Sequence, residues 1–399
     1  MTSLLPLVDA QARLISMARP LPSETIPVGE AMGRYLAQDL IARRSQPAGD
    51  MSAMDGYAIR FADREGPWQW AGECKAGSQP CPPIKAGQAA RIFTGALMPE
   101  GADTVVMQEN TARDSNEENG HQIRLIIDPA PAKGHHVREK GGDFKTGDIV
   151  LQAGTYLGAA ALGQAVMAGL GNLNVGQRPK VAILSTGDEL VAPGSDVLPH
   201  QIPASNDVMI AAMLSQMPAI SQSISRIRDN LDSLCDALTS VADCDVIVTM
   251  GGASVGDHDL VAPAFDRLGG QTDFWKIAMK PGKPLMAGKL GNSIVVALPG
   301  NPVSAFVTAT LFLLPLIRYL AGASSPMPIM QTANTCTALP ATTHRAEFLR
   351  AQVDDHGITL FNSQDSAKLS VLSAANALLY RPPHSPAQQV DAAVPYIAI

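Results

Sequence analysis

The sequence predicts a multidomain chain of mixed α/β and β class. A central α/β domain is built on a parallel sheet, a β-rich domain is inserted into the N-terminal half, and a small barrel-like β domain closes the C-terminus. Three observations carry this expectation. The 399 residues exceed what a single core usually serves. In the middle of the chain, strand-like and helical segments alternate over about 130 residues, the pattern of a parallel sheet covered on both faces. On either side, short β-like runs are divided by Gly- and Pro-rich turn signals.

Taken in order, residues 8–17 and 28–36 carry apolar residues at helical spacing. From about residue 51, short β-like runs follow at 90–94, 104–108, 123–127 and 149–151. The polar run 113–120 reads as a solvated hairpin tip. A small-residue helix is expected at 158–170. Strands are then expected at 181–184, 221–226 and 246–250, alternating with helices at 206–217, 231–241 and 260–268. The run between Lys289 and Arg318 has no charged residue and is long enough to cross a bilayer. Leu298-Pro299-Gly300-Asn301-Pro302 divides it into a short strand and a helix, and Pro315 is expected to interrupt that helix, so a buried strand–loop–helix is the better reading. Residues 347–353 and 358–362 flank Asp354-Asp355-His356-Gly357, a hairpin turn, and β-like runs at 369–380 and 394–399 complete a module with no visible chemistry.

Composition narrows the function. Apolar residues at 46% and charged residues at 17% exclude a mostly disordered chain. A net charge of -7 argues against a broad nucleic-acid surface, while leaving room for a local basic pocket. Five cysteines without CxxC spacing argue against a disulfide framework or cysteine zinc site and fit a reducing, cytoplasmic setting. Asp9, Gln11 and Arg13 interrupt the N-terminal apolar residues, unlike a signal peptide.

The chemistry is expected where strands lead into helices. One such loop is Ser185-Thr186-Gly187-Asp188-Glu189; another is Gly251-Gly252-Ala253-Ser254-Val255-Gly256-Asp257-His258-Asp259. Glycines and a serine at a helix entrance expose backbone N–H groups to a phosphate. A tight turn is the alternative, and neither a Walker lysine nor GxGxxG is present. Asp188, Glu189, Asp257 and Asp259 can supply the one or two carboxylates that Mg²⁺ takes alongside water and phosphate oxygens. For Asp259, ahead of Leu260, a helix N-cap is the lesser alternative, and a lone exposed His258 is more often incidental. Lys276, Lys280 and Lys283, pinned by Pro281 and Pro284, form a compact positive patch suited to a small oxyanion. On a strand, Lys276, Ala278 and Lys280 share one face. A second polar cluster comprises Ser52 to Ala58, Phe93-Thr94-Gly95-Ala96 and Arg138 to Asp143; from spacing alone, Asp55 beside Gly56 is best read as a turn residue.

Together these segments resemble the molybdopterin molybdenumtransferase family, the bacterial MoeA proteins and the gephyrin E domain. The matches are Ser52-Ala53-Met54-Asp55-Gly56-Tyr57-Ala58, Thr94-Gly95, Gly142-Asp143, Ser185 to Leu190, Gly251-Gly252 with Ser254-Val255-Gly256, Lys280-Pro281-Gly282-Lys283-Pro284, and Leu298 to Ser304. They fall in order along essentially the whole chain. The resemblance implies an elongated homodimer of four-domain subunits. Residues 1–50 with 138–176 would form the N-terminal linker and dimerisation domain, 51–137 the inserted β domain, 177–324 the molybdopterin-binding domain and 325–399 the C-terminal β domain. It further implies a reaction of adenylylated molybdopterin with molybdate and Mg²⁺ to give molybdenum cofactor and AMP.

By the same resemblance, Asp55, Thr94, Asp143, Glu189, Asp229, Asp259, Lys276 and Lys280 are functional positions, with the Asp55 region supplied by the partner subunit. Lys276 and Lys280 would contact substrate. Thr186, Gly187, Gly251, Gly252, Ser254, Gly256, Lys283 and Asn301 would bind molybdopterin, while Pro299 and Pro302 would shape the site. Implied partners are a molybdopterin adenylyltransferase and a molybdoenzyme or chaperone acceptor, with no nucleic acid and no membrane. Asn230, Ala204 and Gly141 depart from the family pattern; an acid is common at the first two positions. Two other readings stay open: an adenylyltransferase-like enzyme or nucleotide-pyrophosphate hydrolase on the same α/β fold, and a non-catalytic scaffold.

Overall fold

The computed structural model describes residues 4–79, 81–116, 120–126, 131–251 and 260–399. At its centre is a six-stranded mixed sheet in the order Ile220–Ile227, Lys180–Thr186, Val246–Met250, Ser293–Leu298, Met286–Leu290, Gln271–Trp275. The first four strands are parallel, as expected, and Met286–Leu290 opposes its neighbours on both sides. The alternation of side chains along each strand feeds two separate cores. Val181, Ile183, Val246, Val248, Ile294 and Val296 point to the layer made by helices Leu7–Met17, Ser205–Ser215 and the long helix from Pro302. Ala182, Leu184, Ile247, Val295 and Ala297 point to helices Leu231–Ser240 and Val261–Arg267. Burial on both faces explains why these strands read as continuous apolar runs.

Helix Pro302–Leu320 is long and apolar enough to cross a membrane, yet 83% of its most apolar window is buried inside the protein. It is a core helix. Pro315 does not interrupt it, contrary to expectation. Ala309–Leu313 widens into a π-helical turn and the chain continues as Leu314–Leu320. Proline lacks an N–H and crowds the carbonyl four residues back, and a wider turn accommodates both defects.

Before the central sheet, strand Ser23–Pro27 pairs with Asn172–Gly176, and Leu40–Ile41 with Ile149–Leu151. Their core includes Leu36, Leu40, Phe144, Leu157 and Val175. Residues 7–18, which the sequence groups with this segment, instead send Leu7, Ala10, Leu14 and Ala18 into the central core. The helix expected at 28–36 is only a 3-10 turn, Val28–Glu30. Pro27 and Gly29 lie at its start, and Gly33 adopts φ +78°, which ends any helical run.

The inserted β module leaves and rejoins this layer through adjacent strands, Met51–Ser52 and Val137–Arg138. Its six-stranded sheet has the order Thr104–Met107, Gly56–Ile59, Gln88–Ile92, Trp68–Cys74, Gly120–Leu125, Thr111–Asn116. The last two strands form the expected hairpin, with residues 117–119 of its tip outside the described residues. Cys74 and Cys81 are joined as a single disulfide, a pairing that the sequence reading did not expect, while Cys235, Cys244 and Cys336 are free. The chain after strand Trp68–Cys74 doubles back, which brings the two Cα atoms to 5.6 Å.

The C-terminal sheet runs Met279–Lys280, Ala346–Asp354, Ala377–Arg381, Ala393–Ala398, Gln331–Asn334, with Gly357–Leu360 pairing to Ala346–Asp354. A bridge between Thr335 and Ile358 brings its ends together, giving the barrel-like form. Residues 369–380 are not wholly β: Leu369–Ala374 is a helical turn and a half before strand Ala377–Arg381. In Leu-Ser-Val-Leu-Ser-Ala, so short an apolar pattern fits both periods.

Candidate active site

The carboxyl ends of the parallel strands carry two small cavities that share Thr186, Glu189 and Gly251. The smaller, about 100 Å³, is also lined by Gly187, Arg228 and Asp229. The larger, about 430 Å³, extends past Ser185, Asn206 and Asp207 to Gly300, Asn301 and Pro302. Gly251 lies at φ +87°, and a Cβ there would stand 2.9 Å from the Thr186 carbonyl oxygen. Glycine is what lets the two strand-end loops meet.

Two carboxylates knit the neighbouring loops. Asp188 N–H donates to Asp229 Oδ2 at 3.2 Å, and Asp229 N–H donates to Asp188 Oδ1 at 3.3 Å. Asp229 lines the smaller cavity; Asp188 lines neither. Of the expected Mg²⁺ ligands, Asp257 and Asp259 lie outside the described residues, as do Gly252, Ser254 and Gly256. Among the described residues no cluster of three metal-ligating side chains occurs.

A third cavity, about 200 Å³, lies where the central sheet meets the C-terminal module. Lys280, Lys283, Arg345 and Arg350 line it with Ser304, Gln364 and Ser366, and no carboxylate among the described residues joins them. Glu347 stands 3.8 Å from Lys280. Arg350 is 1% exposed, and burial lowers the pKa of its guanidinium. Gln364 fixes its backbone, accepting from Arg350 N–H and donating to Arg350 C=O, both at 2.9 Å. The Arg350 side chain donates from Nη2 to the Asp365 carbonyl at 3.2 Å, while Nε has no partner. Arg345 Nε is also unpartnered. Cationic side chains converging on one cavity are suited to a small oxyanion.

Loop Gly300–Pro302 separates this cation-lined cavity from the 430 Å³ one. Asn301 Nδ2 donates to Ser366 Oγ at 3.2 Å, and Val303 N–H to Ser366 C=O at 3.2 Å. Asn206 Nδ2 donates to Gly300 C=O at 2.7 Å from the other side. The two spaces are thus neighbours across a hydrogen-bonded wall.

Several expectations need correction. Lys276 and Lys280 do not share a strand face, because Lys276 adopts φ +76° and the strand is only Met279–Lys280. Ala278, between them, is buried, and Lys276 lines none of these three cavities. Pro302 lines the larger sheet-end cavity, whereas Pro299 is buried and does not line it. The C-terminal module does carry chemistry-bearing groups, Arg345, Arg350, Gln364 and Ser366, which sequence reasoning missed. One signal was available: in strand Ala346–Asp354 the inward positions are Ala346, Phe348 and Arg350, which puts an arginine in an apolar phase.

Asp55 and Thr94 form a separate unit on the inserted module. Asp55 Oδ1 accepts from Thr94 N–H at 2.8 Å and from Thr94 Oγ at 2.9 Å. Those two hydrogen bonds, backbone first, hold the Asp55 carboxyl below its usual range, with a smaller contribution from Arg91. Gly56 is required by packing, since a Cβ there would meet the Val106 carbonyl oxygen at 1.9 Å. Asp143 is exposed, with its N–H donated to Gln46 C=O. Neither these residues nor Lys276 line the cavities at the sheet ends. A larger apolar groove, about 940 Å³, is lined by Met209, Met213, Phe306 and Ile397 and contains none of the expected site residues.

A mixed α/β sheet with cavities at the carboxyl ends of its parallel strands, flanked by an inserted β module and a C-terminal β module, places the chain among multidomain α/β proteins that take a ligand at a sheet edge. Family models match along the chain: the MoeA N-terminal region (domain I and II) at residues 5–170, the probable molybdopterin binding domain at 182–319, and the MoeA C-terminal region (domain IV) at 332–397. A molybdopterin molybdenumtransferase of Nostoc sp. is 38% identical over 311 residues, 75% of this chain and 70% of its own length. Molybdopterin molybdenumtransferase 2 of Mycobacterium tuberculosis is 34% identical over 92% of each chain. The crystal structure of the molybdopterin biosynthesis moeA protein from Pyrococcus horikoshii OT3 superposes with a TM-score of 0.85 at 25% identity, covering 100% of both chains. The chain belongs to the molybdopterin molybdenumtransferase family.

Proposed function

We propose that this chain inserts molybdenum, taking molybdate and adenylylated molybdopterin to molybdenum cofactor and AMP. The observation that carries the reading is the four-cation cavity set wall to wall with the sheet-end cavities. Lys280, Lys283, Arg345 and Arg350 would hold molybdate, a tetrahedral dianion, with Ser304 and Ser366 hydroxyls on its remaining oxygens. Molybdopterin would lie across the loop Gly300–Pro302, its dithiolene facing that anion and its phosphoanhydride reaching the loops at Thr186, Gly187 and Gly251. Bringing two anions together is unfavourable without fixed cations, so preorganised charge is the main source of rate.

Glu189 and Asp229 in one small cavity, beside the Thr186 hydroxyl, fit Mg²⁺, which takes one or two carboxylates and leaves room for phosphate oxygens and water. Bound there, the ion would neutralise charge at the phosphoanhydride. The roles of Asp257, Asp259, Gly252, Ser254 and Gly256 rest on their sequence positions alone. The same holds for the four-part division at 1–50 with 138–176, 51–137, 177–324 and 325–399. We read the protein as a cytoplasmic homodimer in which the Asp55–Thr94 unit and Asp143 complete the partner's site, with an adenylyltransferase upstream and a molybdoenzyme or chaperone downstream. A separate adenylyltransferase or scaffold role is not favoured, because the cation-lined cavity serves neither.

The test is reconstitution. The full chain with adenylylated molybdopterin, molybdate and Mg²⁺ releases AMP and activates an apo-molybdoenzyme, and Lys280→Ala loses both. AMP release that ignores molybdate, or an absence of cofactor, would refute the reading.

A further inference from the structure

We infer that Asp207 selects the heterocycle of the substrate, accepting hydrogen bonds from the 2-amino group and ring N–H of a pterin's pyrimidinone edge in the 430 Å³ cavity. The inference rests on the molybdopterin reading above. Asp207 opens helix Ser205–Ser215 and is 6% exposed. One carboxylate oxygen, Oδ1, accepts from the Ser185 hydroxyl; the other, Oδ2, has no partner. Beside it, Asn206 spends its Nδ2 on Gly300 C=O, and its Oδ1 is likewise buried without a partner. Both residues line the cavity.

An acid near a helix N-terminus is ordinarily explained by the helix dipole. A solvent-facing acid satisfies the dipole equally well, so that role gives no reason to bury a carboxylate oxygen with no donor, which is costly. Two unpartnered acceptors on adjacent residues that both line the cavity call for a ligand with donors side by side. Of the two heterocycles in adenylylated molybdopterin, the pterin presents adjacent N–H and NH₂ donors. Adenine sets one amino donor beside an acceptor nitrogen, which a carboxylate repels. Ile202, Met250 and Leu369 supply apolar walls for a flat ring.

The probes are pterin and lumazine, which carries an oxygen in place of the 2-amino group, titrated calorimetrically into the full chain. Wild-type protein binds pterin roughly tenfold or more tighter than lumazine, the discrimination expected when a buried acceptor loses its donor. Asp207→Asn, checked for folding by circular dichroism, loses that preference. Equal affinity for the two probes in wild type overturns the inference, as does a preference that survives in a folded Asp207→Asn. The wild-type comparison needs no variant, so a misfolded mutant leaves it decisive. Failure of wild-type protein to bind molybdate would instead remove the molybdenum-insertion reading, whatever the pterin result.

Discussion

Replacing Arg350 by methionine separates an anion-holding role from a structural one. Methionine keeps an unbranched, apolar stem of similar length and removes the charge. In the protein as it stands, the guanidinium is 1% exposed, makes one hydrogen bond at 3.2 Å to the Asp365 carbonyl, and has an unpartnered Nε. Its pKa is lowered by burial, so the charged form disfavours folding throughout the neutral range. Losing the one hydrogen bond, made by a charged group, costs about 1.5–3 kcal/mol, and removing a poorly compensated buried charge offsets most of it. Unfolding free energy therefore changes by about 1 kcal/mol or less, in either direction. A hydrogen bond to a charged group contributes about 1.5–3 kcal/mol, so molybdate affinity falls roughly 10- to 100-fold. Calorimetric titration with molybdate and urea denaturation measure the two quantities. Unchanged affinity refutes the reasoning, as does a stability loss of several kcal/mol, which would make Arg350 a structural residue.

Three further outcomes follow from the geometry. Lys280→Ala weakens molybdate binding roughly tenfold while Lys276→Ala changes it by less than about twofold, since only Lys280 lines the cation cavity; equal losses would place Lys276 at the site. The Asp55 carboxyl titrates below the usual aspartate value of 3.8, so its contribution to stability is complete above that pH and is lost as pH falls through the lowered value. Thr94→Val removes the side-chain hydrogen bond but not the amide, and raises the Asp55 midpoint in carboxyl-detected NMR while leaving it below 3.8; no change would contradict the hydrogen-bond account. Gly56→Ala forces a Cβ onto the Val106 carbonyl and destabilises the chain by roughly 1–3 kcal/mol in chemical denaturation, whereas a neutral effect would mean that the strands can part freely.

The central sheet was legible because its signals are local. Val246–Met250 was placed to the residue, since a run buried on both faces leaves no polar phase to confuse its period. The strand-end loops followed from the topology of such sheets. Elsewhere local pattern misled: residues 28–36 carry helical spacing but Gly33 must adopt a left-handed backbone, and tertiary packing lets a π turn absorb Pro315. The cation cavity was only half legible. Lys280 and Lys283 stand together in the sequence, but Arg345 and Arg350 lie more than sixty residues on and meet them only because Met279–Lys280 pairs in parallel with Ala346–Asp354. Strand pairing between distant segments has no local signature. Nor has the positive φ at Lys276, which breaks the strand expected there.

The most direct measurement is anomalous diffraction at the molybdenum edge from crystals soaked in molybdate. A single strong peak inside the cavity lined by Lys280, Lys283, Arg345 and Arg350 is the predicted result. A peak elsewhere on the protein with that cavity empty would contradict the account.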